Sequence, residues 1–297
     1  MPRSKVAVTD ELLDAYVNRP LAAYVVKAVV RTSITPNQLT LASAMWGTIA
    51  GACFAITHPF APLAGAVALF LCMIFDCSDG QLARARGGGS VVGRIFDGYA
   101  DYWVAICLHY GILLQLGHVG ASVLGHPLGL AGRVLFVGLA GLSMGVNAGR
   151  FDFFKQRYLA HTGAAREPET PQLFLEEARR STSLLEKAAL RFFALYVRVI
   201  QKGDGFKQGV AAARHTASDP ARIARYAAEN GPLVRLWSLS GPTMHFAAMC
   251  ATACLLPYAP QAFVFYCWFA ILAVNAYTAI LWVLQRRVLH REHASAS

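Results

Sequence analysis

Four aspartates carry the chemistry that this sequence offers: Asp76 and Asp79, then Asp97 and Asp101, in the stretch DCSDGQLARARGGGSVVGRIFDGYAD at 76–101. The chain around them is strongly apolar, and ionisable groups in such surroundings are functional by default. Spaced i,i+3 and i,i+4, each pair falls on one face of a helix. Carboxylates are hard oxygen ligands. Two facing pairs therefore make a cage for a divalent cation of the Mg2+ or Mn2+ type rather than for Zn2+.

Two helices folded back on each other would bring the pairs together. Asp79 lies nine residues before Gly88 and Asp97 nine after it, while Asp76 and Asp101 lie twelve before and thirteen after. A turn at the GGG of 87–89 thus levels the four aspartates in two tiers, roughly 13 to 20 Å from the turn at 1.5 Å per residue. Gly80, Ala83 and Gly93 share the same stripes, where small side chains let a backbone or a flat ligand approach. A neutralised buried ion pair would need neither four carboxylates nor two helices in register. The GGG has no GxGxxG pattern and no following GK[ST], so it reads as a tight turn and not as a phosphate loop.

The pattern DxxDGxxAR(x8)GxxxDxxxD, met here by Asp76, Asp79, Gly80, Ala83, Arg84, Gly93, Asp97 and Asp101, resembles the signature of the CDP-alcohol phosphotransferase (CDP-alcohol phosphatidyltransferase) family. The resemblance extends to the TPNQLT entry of the first span at 35–40. It implies transfer of a substituted phosphate from a CDP-alcohol to an acceptor hydroxyl with release of CMP, in phospholipid biosynthesis. It further implies that Asp76, Asp79, Asp97 and Asp101 hold two Mg2+ or Mn2+ ions and that Asp101 also accepts the hydroxyl proton. Gly80, Ala83 and Gly93 would admit the cytidine, with Arg84 on the nucleotide phosphates and Ser90, Asn37 and Thr40 lining the nucleotide pocket. The implied partners are a CDP-alcohol donor, a lipid or polar alcohol acceptor and the bilayer, with a homodimer among the assemblies open to the chain. A cation transporter or channel is the alternative use of the aspartates. Arg84 beside a cation pathway would be repulsive, which argues against it.

Composition sets the frame for those helices. The 297 residues are 56% hydrophobic and 15% charged, a balance suited to a polytopic all-α integral membrane protein. The net charge of +10 is read as a cytosolic excess facing anionic lipid, with no nucleic-acid partner. An interfacial amphipathic helix is expected at 10–31, broken at Pro20, and six transmembrane helices at 37–57, 61–85, 91–116, 128–149, 239–256 and 261–284. Pro36 suits the first helical turn, with Thr35 or Asn37 as its cap. A cytosolic insert at 150–235 would hold a charged helix at 171–180, an amphipathic run at 190–200 and a loop with Gly203, Gly205 and Gly209.

Lys and Arg crowd the N-terminus, the 84–94 turn, the insert and the tail, so the positive-inside rule puts both termini and the aspartate end on the cytosolic side of the cell inner membrane. Acidic Asp10, Glu11 and Asp14 before the first apolar run argue against a signal peptide. Arg150, Lys155 and Arg157 close the fourth span. They serve as anchors, or as partners for a phosphate on the acceptor. His245, early in the fifth span, is placed to reach the cytosolic cavity, whereas His109 reads as a packing group. The seven cysteines form no metal-binding CxxC pair and no disulfide framework, and Cys77 has no paired histidine to activate it.

Overall fold

The computed structural model describes residues 8–89, 91–163, 171–181 and 220–294, with isolated positions between 184 and 195. A π-helical turn at Asp14–Asn18 runs directly into α1 (Arg19–Val29). Pro20 therefore does not break this helix, contrary to the expectation from sequence. It sits in the first turn of α1, where a missing N–H costs little, and the wider turn ahead of it accommodates the ring.

α2 (Pro36–Ala55) starts on a capping box in which the Thr35 hydroxyl accepts from Gln38 N (3.3 Å) and the Gln38 side chain accepts from Thr35 N (2.9 Å). Thr35, not Asn37, is thus the cap. α3 (Ala61–Ala85) has the bounds expected from sequence. Its end is made by Gly87 and Gly88, at φ of +97° and +125°, a region that glycine enters without strain. The Gly88 N–H returns to the Ala83 carbonyl at 2.8 Å, and the chain folds back into α4 (Val91–His118).

α2 lies along both arms of this hairpin. A Cβ on Gly51 would overlap the Cys107 carbonyl, and one on Gly111 would overlap the Gly51 carbonyl, so α2 and α4 meet backbone to backbone. Phe54, Leu69, Leu108, Ile112, Met249, Phe263 and Tyr266 fill the main core around that contact, with the Phe54 and Phe263 rings 4.9 Å apart.

The connection after α4 is not helical, which corrects the all-α expectation in one place. Ser122–Val123 (β1) and His126–Pro127 (β2) pair antiparallel around Leu124 and Gly125, both at positive φ, as a two-residue hairpin of the primed type requires. α5 (Leu130–His161) then runs for 32 residues, about 48 Å at 1.5 Å per residue, well past the expected end at 149. The charges at Arg150, Asp152 and Lys155 do not stop it because Phe151, Phe154 and Tyr158 share one buried face between them. Phe154 stacks on Trp237 at 4.6 Å, and Tyr158 packs against Tyr226.

α6 (Pro171–Arg180) is the charged helix expected there. Its Phe174 and Ala178 bury against Ile95 of α4, together with Leu190 and Ala194. Most of the 190–200 run and all of the glycine loop at 203–209 lie outside the described residues. α7 (Pro220–Trp237) packs on the extended end of α5 and leads through a 3-10 turn at Ser238–Ser240 into α8 (Pro242–Leu255). α8 has 14 residues, shorter than the expected 239–256, because the chain before Gly241 is already committed to that turn.

α9 (Ala262–Trp268) continues through a π-helical turn at Phe269–Ala273 into α10 (Val274–Ala294), beyond the expected end at 284. The carbonyl of Ala270, within the π-turn, accepts from Ser143 Oγ of α5 at 2.6 Å. Asn275 donates to that same Ser143 at 2.6 Å, and Thr278 to Asn147 at 2.9 Å. Such satisfaction of buried polar groups is what an apolar medium demands. By length and composition, Ala61–Ala85, Leu130–His161 and Ala262–Val288 are able to cross a membrane.

The α2–α4 contact yields a prediction. Gly51→Val or Gly111→Val should destabilise the detergent-solubilised protein by the ~1–3 kcal/mol of overpacking or more, read as a lower unfolding temperature. Gly138→Ala, which meets open space, should leave it unchanged or slightly raised. Equal behaviour of the three variants would remove the close helix contact.

Candidate metal centre

Asp76 lies on α3 and Asp97 and Asp101 on α4, and one carboxylate oxygen from each comes within 4.8 Å of the other two. Asp79 lies against Asp97, and Asp76 against Asp101, which is the two-tier pairing that the count from the turn gives. Thr40 of α2 donates its hydroxyl to Asp79 Oδ2, and both residues are buried. Asp97 Oδ1 is buried and takes no hydrogen bond from any described protein group. Hard oxygens at this spacing, with one such oxygen left over, fit a Mg2+ or Mn2+ ion.

The remaining expected site residues fall into two sets. Around the aspartates, the Arg84 guanidinium lies over Gly80, where an added Cβ would stand 3.3 Å from Nη1. Ala83 faces Gly89 across the turn, Gly93 lies one helical turn before Asp97, and Asn37 is exposed at the start of α2. Ser90 lies outside the described residues.

The residues expected at the acceptor lie on α5 and α8. Arg150 donates to Asn147 Oδ1 (3.3 Å), Lys155 stands over the Phe151 ring (5.7 Å), and Arg157 lies near His161. His245 does not reach the cavity as expected: its ring is fully buried edge-on to Tyr266 and Phe269, with neither nitrogen hydrogen-bonded to a described residue. Apolar α8 packs inward from its first turn, which carries His245 into the core. His109 is the packing group expected, bonded from Nε2 to the Tyr266 hydroxyl at 3.0 Å.

Residues 33–166 match the model of the CDP-alcohol phosphatidyltransferase family. The match covers somewhat less than half of the chain. All eight fixed positions of the aspartate pattern lie within it. The chain is similar to the phosphatidylinositol phosphate synthase of Mycobacteroides abscessus, 37% identical over 89 residues, or 29% of this chain and 37% of the relative. It is also similar to the synthases of Mycobacterium tuberculosis (strain H37Rv), 32% identical over 100 residues (33% and 42%), and of Corynebacterium glutamicum, 36% over 77 residues (26% and 34%). The chain thus matches less than half the length of these relatives.

Outside the family stretch, the N-terminal segment reaches the same neighbourhood, which nothing in the sequence pattern announces. Glu11 accepts from Thr243 N at 3.0 Å, capping α8, and the Asp14 carboxylate accepts from the Thr243 hydroxyl at 3.1 Å and from Asn18 at 2.8 Å. A Cβ on Gly241 would meet the Glu11 carboxyl, so a side chain there would have to displace it. Asp14 is close enough for its charge to act on Asp76, Cys77 and Asp101.

Burial, and secondarily the Asp14 charge, push the Glu11 carboxyl from an ordinary 4.5 up to about 8. Between those values the unfolded chain has lost a proton that the folded protein keeps, so stability falls as pH rises across that window. Thermal unfolding scans from pH 5 to 8 should show this decline, by up to ~1.4 kcal/mol per pH unit, and Glu11→Gln should flatten it. An unchanged slope in the variant would place Glu11 in water.

Proposed function

We propose that the chain is an integral membrane enzyme of phospholipid biosynthesis that transfers a substituted phosphate from a CDP-alcohol to an acceptor hydroxyl, releasing CMP. The observation that carries this reading is the convergence of Asp76, Asp97 and Asp101 within 4.8 Å, on the eight-position family pattern. Six spans are proposed, α2 to α5, α8 and α9–α10, with both termini and the aspartates on the cytosolic side, as the distribution of Lys and Arg favours.

Mg2+ or Mn2+, proposed as two ions held by Asp76, Asp79, Asp97 and Asp101, would neutralise the pyrophosphate of the donor. Thr40 holds Asp79 in place, and Arg84 takes the nucleotide phosphates. Gly80, Ala83 and Gly93 leave room for the cytidine. The acceptor oxygen attacks the phosphorus that bears the transferred alcohol, the bond to the CMP oxygen breaks, and CMP departs with that electron pair. The hydroxyl proton passes to Asp101, the most exposed of the three clustered carboxylates. The relatives' name makes a phosphorylated polyol the first acceptor to try, with Arg150 and Arg157 as its phosphate partners. Lys155, near the charge of Asp10, is the weaker candidate for that role.

The protein in lipid nanodiscs with Mg2+ should release CMP from a CDP-alcohol in the presence of the matching acceptor, and excess chelator should abolish release. Cation flux without CMP release across a panel of donors and acceptors would replace the enzyme by a transporter.

Asp101→Asn should keep donor affinity within a few-fold and lose on the order of 10² to 10⁴ in turnover. Donor binding lost in step with turnover would leave Asp101 a metal ligand only.

A further inference from the structure

We infer that Arg86, which has no place in the aspartate pattern, is a positioning residue that sets the Asp79 side of the metal site by pinning the backbone at 29–34 and, through it, Thr40. The inference rests on the metal reading given above and adds to it the device that holds one tier in register.

Arg86 is the C-cap residue of α3, two helical turns beyond Asp79. Its guanidinium gathers the carbonyls that leave α1. Nη1 donates to Ile34 O (2.6 Å), Nη2 to Val29 O (3.0 Å), Val30 O (3.1 Å) and Thr32 O (2.8 Å), and Nε to Val30 O (3.4 Å). These carbonyls lie at the C-terminal end of α1, where the helix dipole favours a cation, and the one at 29 also accepts from Thr32 N at 3.0 Å. Thr32 shapes the same link, donating its hydroxyl to Val29 O and accepting from Ile34 N.

The pinned segment leads without slack into the residues that touch Asp79. Ile34 precedes Thr35, whose capping box begins α2, and Thr40 lies in the first turns of that helix. A closed circuit results: from Asp79 along α3 to Arg86, across to Ile34, along α2 to Thr40, and back to Asp79 through the Thr40 hydroxyl. Closing it requires one donor group that reaches four carbonyls at once. The planar guanidinium does so and an ammonium does not. Since Arg86 is exposed, a single bond of this kind would contribute little. Converging on one rigid fork, the five fix the position of the link.

A second tether is independent of Arg86. Gln81 donates to Arg19 O at 3.0 Å and keeps α1 on α3. Variants at Arg86 are therefore expected to fold, with the link loosened.

The test uses the full chain in nanodiscs and Mn2+ alone as the probe, titrated by electron paramagnetic resonance. Thr40→Val should weaken Mn2+ binding about tenfold or more, as loss of a group that orients a ligand does. Arg86→Gln should weaken it in the same direction, and Arg86→Lys should recover only part of the loss. In the double variant the loss should be no greater than in Thr40→Val alone, because both act on one carboxylate.

Unchanged Mn2+ affinity in Arg86→Gln, or losses that multiply in the double variant, would overturn the inference. If the wild type binds no Mn2+, the metal reading itself fails. Amide exchange at 30–35 then decides about Arg86: faster exchange in Arg86→Lys upholds the clamp as a device that positions Thr40, and identical exchange overturns it.

Discussion

Bringing four carboxylates together inside an apolar helical bundle is unfavourable twice over, through lost hydration and through mutual repulsion. The rest of the described structure can be understood as what holds that arrangement in the absence of attraction among its members. The glycine turn fixes how α3 and α4 face each other, and the backbone contact at Gly51 and Gly111 fixes how α2 lies along them. Only with α2 in that place does Thr40 reach Asp79. Close packing of backbones thus sets the position from which Thr40 makes its polar contact.

Register was the most legible property of the sequence. A hairpin with a glycine vertex leaves one free parameter, and the equal distances of Asp79 and Asp97 from Gly88 determine it. The pairing of Asp79 with Asp97 and of Asp76 with Asp101 follows. The bounds of α3 were legible for a related reason. Its apolar run is too short to span unless the helix continues through the aspartates, and a helix interrupted there could not present both on one face.

Helix ends set by tertiary contact were not legible. The charges after 149 look like a membrane boundary, yet Phe151, Phe154 and Tyr158 keep α5 helical by packing on Trp237 and Tyr226. Pro20 shows the converse: a residue that breaks a regular helix is harmless in its first turn behind a π-turn. His245 and Arg86 illustrate a third limit. Sequence places a residue on an element but not on the side from which neighbours approach, so His245 was expected at a cavity and lies in the core. Arg86 passed as one more cytosolic positive charge and gathers four carbonyls.

The division between family stretch and flanks has a chemical meaning. Residues 33–166 contain the aspartates, Thr40 and Arg84, the groups proposed to meet the cytidine diphosphate part that such donors share. The elements that close around them come from outside it: Glu11 and Asp14 on the N-terminal segment, Thr243 on α8, and Phe174 of α6 against Ile95, two residues before Asp97. The negative charge of Asp14 on that wall is felt at Asp76 and Asp101. The site therefore draws on two sources, carboxylates from the stretch that the family model matches and a surrounding wall from the segments before and after it, and the identity shared with the relatives extends over 77 to 100 residues only.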